Sequence, residues 1–235
     1  MKRTVLISCI AVVFAFVTAI GLCFQALNAP QAVFSAADMG MKIVLDAGHG
    51  GIDGGVTGKT TGTKESDINL AITLKLKTEL VGMGFDVTLT RKTEAGLYGT
   101  AAKGFKKRDM QKRKEIIQET QPALVISIHQ NFYPTQVARG GQVFYNKLDK
   151  NSERLAKTFQ TKLNELYAEE GAKARKAATG EYFMLQCCDA PSVIVECGFL
   201  SNEKDEKLLL NERWQTRFAQ TLAAGVLAYL SQSVS

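Results

Sequence analysis

The chain of 235 residues is poor in the groups that do catalytic chemistry, holding only two histidines. Five cysteines are present, but Cys9 and Cys23 fall in an apolar N-terminal run, and only Cys187, Cys188 and Cys197 lie beyond it. Three thiols cannot all pair, two are adjacent, and their spacing is not that of a zinc ribbon. A disulfide scaffold is therefore excluded, and the three read as small buried apolar residues. No HExxH segment occurs, which excludes the thermolysin-like zinc arrangement. Tyr98, Phe105 and Phe132 are the few aromatics near the basic stretch, too scattered for a nucleic-acid stacking platform. No repeat, low-complexity tract or second domain is visible. The 46% hydrophobic and 22% charged content is that of a soluble globular protein, not a disordered, collagen-like or polytopic membrane chain. The formal charge of +6 is mild and suits an anionic polymer without specifying one.

Lys2 and Arg3 precede an uncharged apolar run from about Val5 to Phe24. A basic start before such a run marks an export signal, and its length is about that of a bilayer span. No convincing small-x-small cleavage site follows, so residues 1–27 are read as an export signal or membrane anchor, an uncleaved anchor being favoured over a cleaved signal. Residues 28–40 read as a linker and residues 41–235 as a single folded domain.

Within that domain, buried strands are expected at Lys42–Asp46, Leu124–Ile128 and Ser192–Glu196. Further strands are expected at Phe85–Thr90, Gln142–Tyr145 and Tyr182–Leu185. Helices are expected over residues 66–80, from Asp109 to Glu119, from a cap at Ser152 to about Tyr167, and over about 203–209 and 213–231. Residues 47–63 hold seven glycines and form a loop, and residues 91–107 read as an irregular insertion. Strands alternating with helices predict one α/β domain, a sheet with helices on both faces.

The chemistry gathers at strand ends. His49 follows KIVLDAG, His129 ends LVISI, and Glu196 ends SVIV. Ligands of open α/β sheets bind outside the carboxyl ends of the strands. Glu65 opens the helix after the first strand and reaches the same edge by topology. Each histidine alone reads more readily as a structural group than as a ligand. A glutamate ending an apolar strand is costly unless paired or ligating. Together the four suit a catalytic zinc with three protein ligands, and a remaining carboxylate as general base.

The segments IVLDAGHGGIDGG, KESDINL, ISIHQN and VIVECGFLSN, in that order, resemble the motif blocks of zinc-dependent N-acetylmuramoyl-L-alanine amidases. The resemblance runs from residue 42 to about 230. It implies that His49, Glu65 and His129 bind Zn2+, that Glu196 is the catalytic acid/base, and that the fold is a zinc-hydrolase α/β sandwich with a mixed, mostly parallel sheet. The single apolar N-terminal segment, GGQVFYN and RKAATGEYFML resemble the germination-specific, spore-cortex branch. That branch removes stem peptides from muramic acid so that a deacetylase can form muramic-δ-lactam. The implied partner is the peptidoglycan glycan strand with its stem peptide, met outside the membrane or in the spore envelope; an accessory protein is left open. Ala47, Gln130 and Cys197 depart from the family pattern without removing a ligand, and Gln130 bears on subsite preference. A zinc carboxypeptidase acting on stem peptides and a non-catalytic wall-binding protein are the rival readings.

Residues 103–114 hold seven basic residues and one acid, a solvated helix face or an attraction for anionic glycan. Within it, Arg113 is a candidate substrate contact, as is Asn131 beside His129. Asp46 is a candidate to orient His49. Cys197 follows Glu196 on a strand and should face away from it.

Overall fold

The first strand, β1 (Lys42–Ala47), is buried at every residue after Lys42. Such continuous burial belongs to a strand covered on both faces. The computed structural model describes residues 40–232, and the expected anchor at 1–27 and nearly all of the linker lie outside them. Among the described residues no helix is long and apolar enough to cross a membrane.

The chain continues through α1 (Glu65–Gly82), β2 (Asp86–Leu89), α2 (Phe105–Thr120), β3 (Leu124–Asn131), β4 (Gln142–Tyr145) and α3 (Lys150–Ala168). It ends with β5 (Ala178–Thr179), a 3-10 turn (Phe183–Leu185), β6 (Ser192–Phe199), α4 (Glu203–Leu209) and α5 (Glu212–Ser231). The strands form one sheet in the order β2-β1-β3-β6-β4-β5. β2, β1, β3 and β6 are mutually parallel, and β4 runs antiparallel to β6. The expected single α/β domain with a mixed, mostly parallel sheet is observed.

Strand alternation divides the core. Ile43, Leu45, Ile126, Ile128, Val193 and Val195 face a large apolar layer that includes residues of α1, α3 and α5. Val44, Val125 and Ile194 face the thinner layer of α2 and the 3-10 turn, with Ile117, Met184 and Leu185. Both faces are covered, but unequally.

Three local expectations are corrected. Tyr182–Leu185 is not a strand: Leu185 N donates to Tyr182 O and Gln186 N to Phe183 O at 3.1 and 3.0 Å. The backbone closes on itself, and Met184 and Leu185 are buried without a ladder. The cap of α3 is Asp149, whose side chain accepts from Asn151 N; the Ser152 hydroxyl instead accepts from Ser192 N at 2.8 Å and ties the helix to β6. Helix α2 begins at Phe105, four residues before Asp109.

Candidate metal centre and active site

β1 ends at Ala47 and the chain turns at once. His49 has φ 60, a left-handed backbone uncommon for a residue with a side chain. The conformation costs about 1 kcal/mol, so the surroundings must impose it. It carries the imidazole back over the sheet edge toward Glu65, with Nε2 3.4 Å from Glu65 Oε1. His49 Nδ1 lies 3.1 Å from Asp53 Oδ2, near but not aligned as a hydrogen bond. Burial disfavours the charged imidazole, yet Glu65 and Asp53 outweigh it and raise its pKa above the ordinary value.

Glu65 is the first residue of α1, where the helix dipole favours an anion. It is buried. Oε1 accepts from Gln130 N at 3.0 Å and Asn69 Nδ2 at 3.3 Å, and Oε2 accepts from Val56 N at 2.9 Å. His129 Nδ1 stands 3.0 Å from the same Oε1. Burial alone would raise this carboxyl's pKa, but the two imidazoles hold it far below the usual carboxylate range. The His49 and His129 rings meet edge-on with centroids 5.1 Å apart.

One donor atom from each of His49, Glu65 and His129 falls within 4.8 Å of the others. Two imidazoles and a carboxylate form a set that zinc takes in hydrolases. The surrounding chain fits such a centre. A Cβ at Gly48 would overlap the His129 imidazole, and one at Gly55 would overlap the Glu65 carboxylate. Only glycine lets the loop pass so close to both.

Glu196 pairs in register with His129 across the parallel β3–β6 ladder. Parallel partners stand side by side on one face, about 4.8 Å apart in the hydrogen-bonding direction. The register shifts just beyond, between His129 and Asn131, an irregularity of the kind that re-aims side chains near sites. Glu196 Oε2 is buried and has no hydrogen-bond partner. Burial first, and the Glu65 charge with it, push its pKa up to about 7 against the opposing pull of His129 and His49. Beside the histidines opens a cavity of about 270 Å³ walled by Tyr98, Phe105, Met110, Phe183 and Met184.

The other candidates fall differently. Arg113 is buried and its guanidinium is spent on protein acceptors: Asp46, Asp109, Ala47 O and His49 O. The geometry gives no support to the expected substrate contact. Asp46 does not touch His49; it accepts from Arg113, Thr90 and Ser127, and the link to His49 runs through Arg113. The Asn131 side chain accepts from Phe132 N at 2.8 Å and does not bond His129. Gln130 is buried, its backbone N–H on Glu65 and its side chain donating to Asn69 Oδ1 at 3.0 Å. Cys197 is buried in the larger core layer. Sequence reasoning missed Asp53, Asn69 and Arg91. Asp53 sits four residues past His49 in the glycine loop, and that spacing was the available signal.

Three converging ligand atoms with a protonatable carboxylate alongside are the working parts of a metal-dependent hydrolase. The family model for N-acetylmuramoyl-L-alanine amidase matches residues 43–228. The germination-specific N-acetylmuramoyl-L-alanine amidase of Bacillus subtilis is 33% identical over 196 residues, covering 82% of this chain and 81% of that one. Among solved structures, the CwlD amidase of Clostridioides difficile, in complex with the GerS lipoprotein, has a TM-score of 0.77 and 38% identity, covering 81% of this chain and 98% of that chain. The catalytic domain of CwlV from Bacillus (Paenibacillus) polymyxa var. colistinus has a TM-score of 0.71 and 27% identity, covering 81% and 98%. The chain belongs to the N-acetylmuramoyl-L-alanine amidase family, enzymes that hydrolyse amide bonds of peptidoglycan. The family is metal-dependent in general.

Proposed function

We propose that the protein cleaves the amide between the lactyl group of N-acetylmuramic acid and the L-alanine of the stem peptide, with zinc held by His49, Glu65 and His129. The observation that carries this is the convergence of three ligand atoms within 4.8 Å beside the unpartnered Glu196 oxygen. Zinc held by these residues would supply a Lewis acid for the amide carbonyl and would lower the pKa of a bound water to roughly 7. Glu196 takes the proton of the attacking water. It then gives that proton to the departing alanine nitrogen, so the C–N bond breaks as a neutral amine leaves. Glu65, anchored by three N–H donors, keeps its place and its charge throughout. The apolar cavity beside the histidines offers a water-poor wall against which the substrate is seated.

The likeness to the germination-specific enzyme of Bacillus subtilis supports a role in spore cortex, where stem-peptide removal prepares muramic-δ-lactam. Residues 1–27 deliver the domain across the membrane and hold it at the outer face. The Clostridioides difficile relative was solved with a lipoprotein, and an accessory protein of that kind belongs to the proposal. Mass spectrometry of products from purified peptidoglycan tests the reaction. Glycan freed of whole stem peptides, with new L-alanine amino termini, is expected. Stems shortened at their carboxyl ends would establish a carboxypeptidase instead, and unchanged wall a binding protein.

A further inference from the structure

Two arginines that take no part in the reaction lie buried under the His49 turn. Arg91 and Arg113 are 2% and 1% exposed. Arg91 Nε donates to Ala47 O at 2.8 Å, and Nη2 donates to Gly48 O at 3.0 Å and Ser66 O at 2.7 Å. Arg113 Nη1 donates to Ala47 O at 2.7 Å, and Nη2 donates to His49 O at 2.6 Å. Three consecutive carbonyls, 47 to 49, are thus bound by two guanidinium groups. Beyond β1 these groups leave the sheet ladder, and a buried carbonyl must find a donor elsewhere. The chain turns here through the left-handed His49, so its carbonyls leave the ladder; Asn69 Nδ2 shares Gly48 O at 3.1 Å, and the two guanidinium groups supply the other donors.

The clamp also joins two ligands. Ser66 follows Glu65 in the first turn of α1, and Arg91 ties its carbonyl to that of Gly48. Arg113 is itself oriented by Asp46 and Asp109, each 2.6 Å from its guanidinium. The two cations are balanced by these two carboxylates, so the clamp adds little net charge beneath a cation site.

We propose that Arg91 and Arg113 are positioning residues of the metal centre, a paired guanidinium clamp that holds the 47–49 backbone so that His49 and Glu65 meet one ion. The proposal rests on the metal-centre reading above. Lysine keeps the charge of either residue but lacks the planar fork that bonds several acceptors at once. Arg91→Lys and Arg113→Lys are therefore expected to fold but to bind zinc roughly 10–100-fold more weakly, the usual scale for loss of groups that orient ligands.

The experiment is zinc titration of the metal-free full chain against a chromophoric chelator, with circular dichroism and thermal unfolding of the same samples. The parent is measured first. A parent that binds no stoichiometric zinc overturns the metal-centre reading itself. A parent that binds zinc, with both lysine variants within twofold of its affinity, overturns the clamp, even if their thermal midpoints fall. Where a lysine variant does not fold, Asp109→Asn takes its place. It removes the charged partner of Arg113 Nε and leaves both arginines intact. Weaker zinc binding by that variant supports the clamp, and parental affinity overturns it.

Discussion

Replacing Glu196 by glutamine preserves size and hydrogen-bonding shape and removes only the ability to take a proton. The proposed mechanism gives this side chain both proton transfers, so its loss should cost at least the roughly 10²–10⁴-fold worth of general acid–base catalysis. That range corresponds to about 3–5 kcal/mol of barrier. The fold should be undisturbed, because Glu196 Oε2 has no hydrogen-bond partner to lose. The variant is expected to be slightly more stable at high pH, since an uncharged amide replaces a carboxylate that burial penalises. A pH profile adds a second reading. The carboxyl sits at about 7 with burial as the main cause, and a cation in the adjacent site favours the carboxylate and lowers that value. The parent's activity should therefore rise with pH along a limb centred at or below about 7, and that limb should be absent from whatever activity Glu196→Gln retains. The assay is release of L-alanine amino termini from peptidoglycan with intact stems, beside zinc content. Near-parental release, or an unchanged acid limb, would refute Glu196 as the base. Loss of zinc would make it a ligand.

Asp46 gives a stability prediction. Burial would raise its pKa, but Arg113, Ser127 and Thr90 outweigh burial and lower it to about 2; the stabilisation, about 2 kcal/mol by linkage, is whole above roughly pH 4 and lost as pH falls through 2. Urea unfolding between pH 2 and 5 should show a shallower acid loss in Asp46→Asn, and an identical slope would remove Asp46 from the account. His129→Ala should lower bound zinc and abolish hydrolysis, and full zinc occupancy in that variant would sink the ligand assignment. Deletion of residues 1–27 should leave a folded domain released from membranes; aggregation of the truncated chain would instead give the segment a part in the core.

How much of this was readable from residues alone depended on whether pattern or partner decided the outcome. The strands that carry or precede His49, His129 and Glu196 were readable because unbroken apolar runs mark buried parallel strands, although β3 and β6 run on past His129 and Glu196 to Asn131 and Phe199. Glu65 followed from topology. Gln130 reads as bearing on subsite preference, although strand alternation sends its side chain to the face opposite His129. There it steadies Asn69 and, through its backbone, Glu65. Arg91 lay in a stretch that reads as irregular insertion, and Arg113 in one that reads as a solvated basic face. Their burial depends on which carbonyls the turn at His49 strips of ladder partners, and composition carries no trace of that. The Tyr182–Leu185 segment has a strand's apolar character, but nothing local says that its hydrogen bonds close within four residues.

The two carboxylates of the site show why one is suited to hold the ion and the other to move the proton. Both are near both histidines, and both lose solvent. Glu65 receives three N–H donors, from Val56, Asn69 and Gln130, spread over its two oxygens. Burial alone would raise its pKa, but His129 and His49 in contact with it outweigh burial, and Glu65 stays ionised well below neutrality. A ligand needs that constancy, because a protonated carboxyl releases a cation. Glu196 receives no donor at Oε2, so burial acts on it unopposed except by the imidazoles, and it reaches about 7. A proton carrier needs that placement, since it must accept and release within one turnover. The difference is set by position on the sheet. Glu65 enters from a helix start, between the loop N–H of Val56, the β3 N–H of Gln130 and the Asn69 amide, which it shares with Gly48 O. Glu196 stands on β6, where the ladder uses the neighbouring N–H groups. Glu65 Oε1 lies 3.4 and 3.0 Å from the two imidazoles, whereas Glu196 feels them without contact, and that difference divides the roles.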